Sequence, residues 1–151
     1  MLIASHLEKI RRLQNLRGRL QPLEDFELWF WSTMTAGTHA VNAALHDAGV
    51  TPQESAFPSQ PGVYMVADGA GGYAPALRAA GDVLHVGRPP IAGPVPPDVR
   101  DMMDAMEIIE SYRDPCVRDG LAPTAEIVDR CDAAYRRCMR ALEQRLPEAA
   151  A

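Results

Sequence analysis

No run in this 151-residue chain approaches the ~20 consecutive apolar residues of a membrane-spanning helix, so no membrane segment is expected. Cysteine is scarce. Cys116, Cys131 and Cys138 are odd in number and form no CxxC pair, which argues against a disulfide framework or zinc ribbon and suggests a reducing, cytoplasmic setting. Positive charge is also in deficit: a net charge of -5 and a pI ≈ 5.3 disfavour nucleic acid and anionic lipid as partners. The first twenty residues lack the apolar core of a secretory signal, being interrupted by Glu8, Lys9, Arg11 and Arg12. There is no fixed-period repeat and no sustained heptad pattern. Asp68-Gly-Ala-Gly-Gly72 has neither GxGxxG nor a Gly-Lys-Ser/Thr ending, so it reads as a turn and not a phosphate loop.

What is present suffices for one core. A 47% hydrophobic and 23% charged composition, at this length, predicts one domain over 1–151. Ile3, Leu7, Ile10, Leu13, Leu16 and Leu20 recur at helical spacing, predicting a first helix that ends near residues 19–21, ahead of Pro22. A second is expected from Pro22 to Ala48, stopped by Gly49 and Pro52. On it, Gly37 sacrifices ~1 kcal/mol of helix propensity, which implies close approach of a neighbouring helix. A third helix should run from Pro97 or Asp98 to near Arg113, and a fourth from Pro123 to Leu146 with Ile127, Cys131, Ala134, Cys138 and Ala141 as its seam. Residues 49–97 hold most of the prolines and glycines; within them Gly62–Ala67 and Asp82–Val86 are expected to pair as strands, and Pro75–Ala80 to form a helical turn. The fold class is therefore mainly α: a four-helix bundle with a long Pro/Gly-rich crossover between helices two and three, with room for a short β-hairpin.

The most informative stretch for function is Leu28–His46, which contains no Asp, Glu, Lys or Arg. Ser32, Thr35, His39, Asn42 and His46 gather on one side of that helix, opposite Phe30 and Gly37. Neutral polar groups are less costly to desolvate than ions, so this face is expected to meet a pocket, the crossover or a second subunit. One reading is a small-ligand or interaction pocket, with Thr35, His39, Asn42 and His46 as polar contacts and Trp31 and Tyr64 as walls. Another is an enzyme in which His39, His46 or His85 serves as base or ligates a divalent transition metal. His39 and His46 lie two turns apart, ~10.5 Å, a spacing that counts against a metal held by this pair. Structural hydrogen bonding is the plainest use of the same groups. Trp29, Trp31, Met34 and Leu45 lie outside the central stripe, and this apolar excess predicts a homodimer.

Other charged groups read as solvated or paired. Arg11, Arg12, Arg17 and Arg19 form a basic stripe on the first helix, and Glu110–Asp119 a salt-bridged loop around Cys116. Asp101 with Asp104, and Glu107 with Glu110, lack the Glu-x-x-His motif of di-metal bundles. Arg78 and His85 match the Arg–His spacing that marks HEPN nucleases, over eight residues that cross Gly81 and a candidate strand, and they establish no family.

Overall fold

The computed structural model describes residues 1–54, 58–60, 63–77, 81–89, 91 and 93–150. Four helices form the body: α1 (Ile3–Arg17), α2 (Phe26–Asp47), α3 (Pro97–Glu110) and α4 (Ala125–Arg145). The crossover between α2 and α3 carries three short strands, β1 (Pro58–Gln60), β2 (Val63–Ala67) and β3 (Tyr73–Leu77), in an antiparallel sheet of order β1-β2-β3.

Helix α2 occupies the centre and packs against α1, α3 and α4. Of its 22 residues 14 are buried, which explains why the stretch lacks charge. Trp29 and Leu45 are 2% and 0% exposed within a single chain, so their coverage requires no second subunit. Gly37 behaves as its sequence context suggests: a Cβ there would overlap the Met106 thioether of α3. The helix starts later than expected because Gln21–Asp25 forms a turn, in which the Gln21 N–H donates to Asp25 Oδ2 at 2.9 Å.

The helix ends follow local chemistry. Gly49 takes φ 68°, a conformation open to glycine without a Cβ clash, and lets Val50 N–H donate back to Leu45 at 2.9 Å. This reversal returns Thr51 over the last turn of α2. Thr124 caps α4 by accepting the Ile127 N–H, and Pro97 occupies the first turn of α3. A single π-helical turn, Asp114–Arg118, follows α3.

The crossover differs from expectation in two respects. The partners of β2 are Pro58–Gln60 and Tyr73–Leu77, with Ala67 opposite Tyr73, and not Asp82–Val86. The expected helical turn at 75–80 is replaced by strand through Leu77; residues 78–80 lie outside those described. Asp68 closes the hairpin, its Oδ1 accepting the N–H groups of Ala70 at 2.8 Å and Gly72 at 3.0 Å. Asp82–Val86 instead re-enters the bundle irregularly, with Val83 and Val86 buried in the core. The reason is Asn42, whose side chain occupies both backbone groups of Val83 that a partner strand would have used.

The basic stripe of α1 is divided. Arg11 and Arg12 pair with Glu8 on the surface. Arg17 turns inward between the rings of Trp29 and Tyr135, 5.1 and 4.7 Å from their centroids, and pairs with Asp132.

Candidate metal centre

Three segments converge where α1 meets the last turns of α2. His6 stands on the buried stripe of α1 with Ile10, one helical turn along from Ile3. His46 lies at the buried C-terminal end of α2. Asp82 is delivered by the crossover, held in place because Asn42 fixes the next residue: Asn42 Nδ2 donates to the Val83 carbonyl at 2.8 Å and Asn42 Oδ1 accepts the Val83 N–H at 2.7 Å.

Both imidazoles aim Nε2 at one carboxylate oxygen. His46 Nε2 lies 2.9 Å from Asp82 Oδ1 and is hydrogen bonded to it. His6 Nε2 lies 3.3 Å from the same oxygen but outside hydrogen-bond geometry, and it is a buried nitrogen without a hydrogen-bond partner. The three ligand-type atoms all fall within 4.8 Å of one another. The Met1 α-amino group also pairs with Asp82 Oδ1. Exposure of the His6, His46 and Asp82 side chains is 1%, 0% and 10%, so the cluster is closed.

The second nitrogen of each imidazole is also engaged. His6 Nδ1 lies 3.0 Å from His39 Nδ1. His46 Nδ1 lies 2.8 Å from Thr51 Oγ1 and 3.2 Å from the Thr51 carbonyl. His46 thereby touches Thr51, where the chain leaves the bundle, and Asp82, where it returns. The intervening excursion carries the three-stranded sheet, whose Met65 and Tyr73 are exposed.

Electrostatics follow from burial. Desolvation lowers the His6 pKa against the opposing pull of Asp82. Desolvation, with His6 and Lys9 nearby, takes His39 down to about 4, so its imidazole is neutral at neutral pH. Burial alone would raise Asp82, but His46, His6 and the N-terminal amine around it hold the carboxyl well below its ordinary range. Cys116, by contrast, has its thiol pKa raised by burial, the opposite of an activated nucleophile.

The sequence-derived candidates separate. His46 belongs to the cluster directly, through Asp82, and His39 reaches it through His6; sequence reasoning missed both His6 and Asp82. Asn42 is a clamp, with its amide committed to Val83 and to the Thr38 carbonyl. Thr35 and Trp31 are half-buried on α2, with Trp31 edge-on to Phe30. Tyr64 lies in β2. His85 is exposed, 3.5 Å from an Arg113 nitrogen, and does not join the other histidines. Arg78 lies outside the described residues, and with it the Arg–His nuclease spacing.

Nothing matched. Comparison with family models, curated proteins and solved structures gave no match for the chain. No helix among the described residues is long and apolar enough to cross a membrane. Grooves elsewhere among the described residues include one of about 480 Å³ between α1 and Glu148–Ala149 and one of about 320 Å³ between residues 21–24 and the start of α4.

Proposed function

We propose that this protein binds one divalent transition-metal ion through His6 Nε2, His46 Nε2 and the Asp82 carboxylate, and that the ion fastens the crossover to the bundle. The observation that carries this reading is the buried, unpartnered Nε2 of His6, aimed at the oxygen that His46 also addresses. A lone pair facing a carboxylate is repelled unless a cation lies beside them; without the ion the Met1 ammonium on the same oxygen supplies that charge, and a bound ion would take its place. Tetrahedral zinc with bonds of about 2.0–2.1 Å sets its ligand atoms about 3.3–3.4 Å apart. The 3.3 Å of His6–Asp82 meets that spacing, and the 2.9 Å of His46–Asp82 needs only a small opening.

The donor set decides the class of ion. Two imidazoles and one carboxylate suit zinc, iron(II), cobalt or nickel, whereas calcium and magnesium prefer all-oxygen sites and copper(I) prefers sulfur. Closure decides the role. Catalytic metal sites keep a position open to substrate, whereas these side chains are at most 10% exposed, so a structural ion at the neck of the excursion fits better. A small-ligand pocket on the uncharged face of α2 has less support, because Asn42 is committed to Val83 and His46 to Thr51 and Asp82. Homodimerisation loses its main sequence-based support with the burial of Trp29 and Leu45, and light scattering decides it.

Calorimetric titration of chelator-treated protein with zinc tests the reading. One equivalent should bind, and at a hundredfold excess over Kd the fold should gain about 2.7 kcal/mol. Asp82→Ala should abolish both effects while circular dichroism verifies its helices. Absence of heat and of any thermal shift in the wild-type chain would refute metal binding.

A further inference from the structure

We infer that His39 is a positioning residue of the metal site: it accepts a hydrogen bond from His6 Nδ1–H and so fixes the tautomer that leaves the His6 Nε2 lone pair free for the ion. The inference rests on the metal-binding reading above and adds a residue outside the ligand set.

The geometry of the two rings carries it. With His6 Nδ1 and His39 Nδ1 3.0 Å apart and their centroids separated by 5.2 Å, one proton belongs between two nitrogens that would otherwise oppose their lone pairs. Its owner follows from the other side of His6. Were the proton on Nε2, its nearest acceptor would be Asp82 Oδ1, 3.3 Å away and poorly aligned, a weaker bond than the 3.0 Å approach to His39. Placed on Nδ1 it has an acceptor in His39, and Nε2 is left with its lone pair toward Asp82.

The other ligand can adopt the same arrangement. Without the ion His46 Nε2–H donates to Asp82; with the ion in its place the proton belongs on Nδ1, which has oxygen acceptors in Thr51. Each imidazole thus has one nitrogen for the ion and one for an outer partner, the pattern by which proteins orient metal-ligating histidines. His39, Asn42 and His46 then form one apparatus along a face of α2: an outer acceptor, the clamp that holds Val83 beside Asp82, and a ligand. Because His39 is only half-buried, it can be replaced without opening a hole in the core.

The test compares zinc titrations of the wild-type chain, His39→Leu and His39→Gln, with ¹⁵N NMR of the histidine rings reporting the His6 tautomer. His39→Leu should weaken zinc binding by about 10–100-fold and remove the fixed Nδ1–H tautomer of His6. His39→Gln, whose amide oxygen can accept the same proton, should recover most of the affinity. Wild-type affinity in His39→Leu, or a zinc-bound His6 protonated at Nε2, would overturn the inference while leaving the metal site standing. Failure of the wild-type chain to bind zinc would overturn the metal reading itself, and the inference with it.

Discussion

Replacing Asn42 with leucine should separate the crossover from the bundle without emptying space, since the two side chains are similar in size. Asn42 is 2% exposed, and its amide satisfies both the N–H and the C=O of Val83, a residue that is itself only 5% exposed. Leucine can satisfy neither, and each buried backbone group left without a partner costs about 1–3 kcal/mol. Added apolar burial offsets part of this, giving a net loss of about 2–5 kcal/mol. At about 2–4 °C per kcal/mol for a domain of this size, the melting temperature should fall by about 4–20 °C. Urea denaturation should show the same loss through its midpoint, with the slope little changed. Zinc affinity should fall as well, because Asp82 adjoins the released residue. A stability loss below about 0.5 kcal/mol would refute the assignment of Asn42 as the anchor of residues 82–83.

Acid should destabilise the metal-free protein. His6 and His39 both have depressed folded-state pKa values, so the unfolded chain takes up protons first; their contribution is full above the unfolded value near 6.5 and is lost as pH falls toward about 4 for His39. Asp82, lowered by the His46, His6 and N-terminal donors around it, adds a loss of the same sign below the ordinary carboxylate range. A melting temperature that stays flat from pH 7 to 5 would contradict this. Gly37→Ala should fail to deliver the ~1 kcal/mol expected from helix propensity, because displacing the buried Met106 thioether costs about 1–3 kcal/mol; a gain near 1 kcal/mol in chemical denaturation would show that Met106 moves freely. Hydrogen exchange should show zinc protecting residues 51–54 and 81–87 more than α4, and uniform protection would contradict a local clamp at the neck.

The helices were legible because their signals are local. The spacing of Ile3, Leu7, Ile10 and Leu13, the prolines at 22 and 97, and Gly49 all act within a turn or two of chain. The charge-free stretch marked α2 as unusual, but its meaning depended on position: it is the central helix, enclosed on most sides, so its aromatics are core. The strand expected at 82–86 failed because a side chain 41 residues from Val83, that of Asn42, takes the backbone bonds a strand would have used. His6 carried a signal that was not used, a histidine on the apolar stripe of an amphipathic helix. Asp82 carried a weaker one, a carboxylate leading into buried Val83. Neither reveals its partner locally, since the three ligand candidates lie forty and thirty-six residues apart and meet through tertiary packing.

The most direct measurement is anomalous diffraction at the zinc edge from crystals of the zinc-loaded protein. A single strong peak is expected between α1, α2 and the crossover, within about 2.0–2.2 Å of His6 Nε2, His46 Nε2 and an Asp82 oxygen. Peaks confined to surface sites, with His6 Nε2 and Asp82 still facing each other across an ion-free gap, would contradict the metal centre.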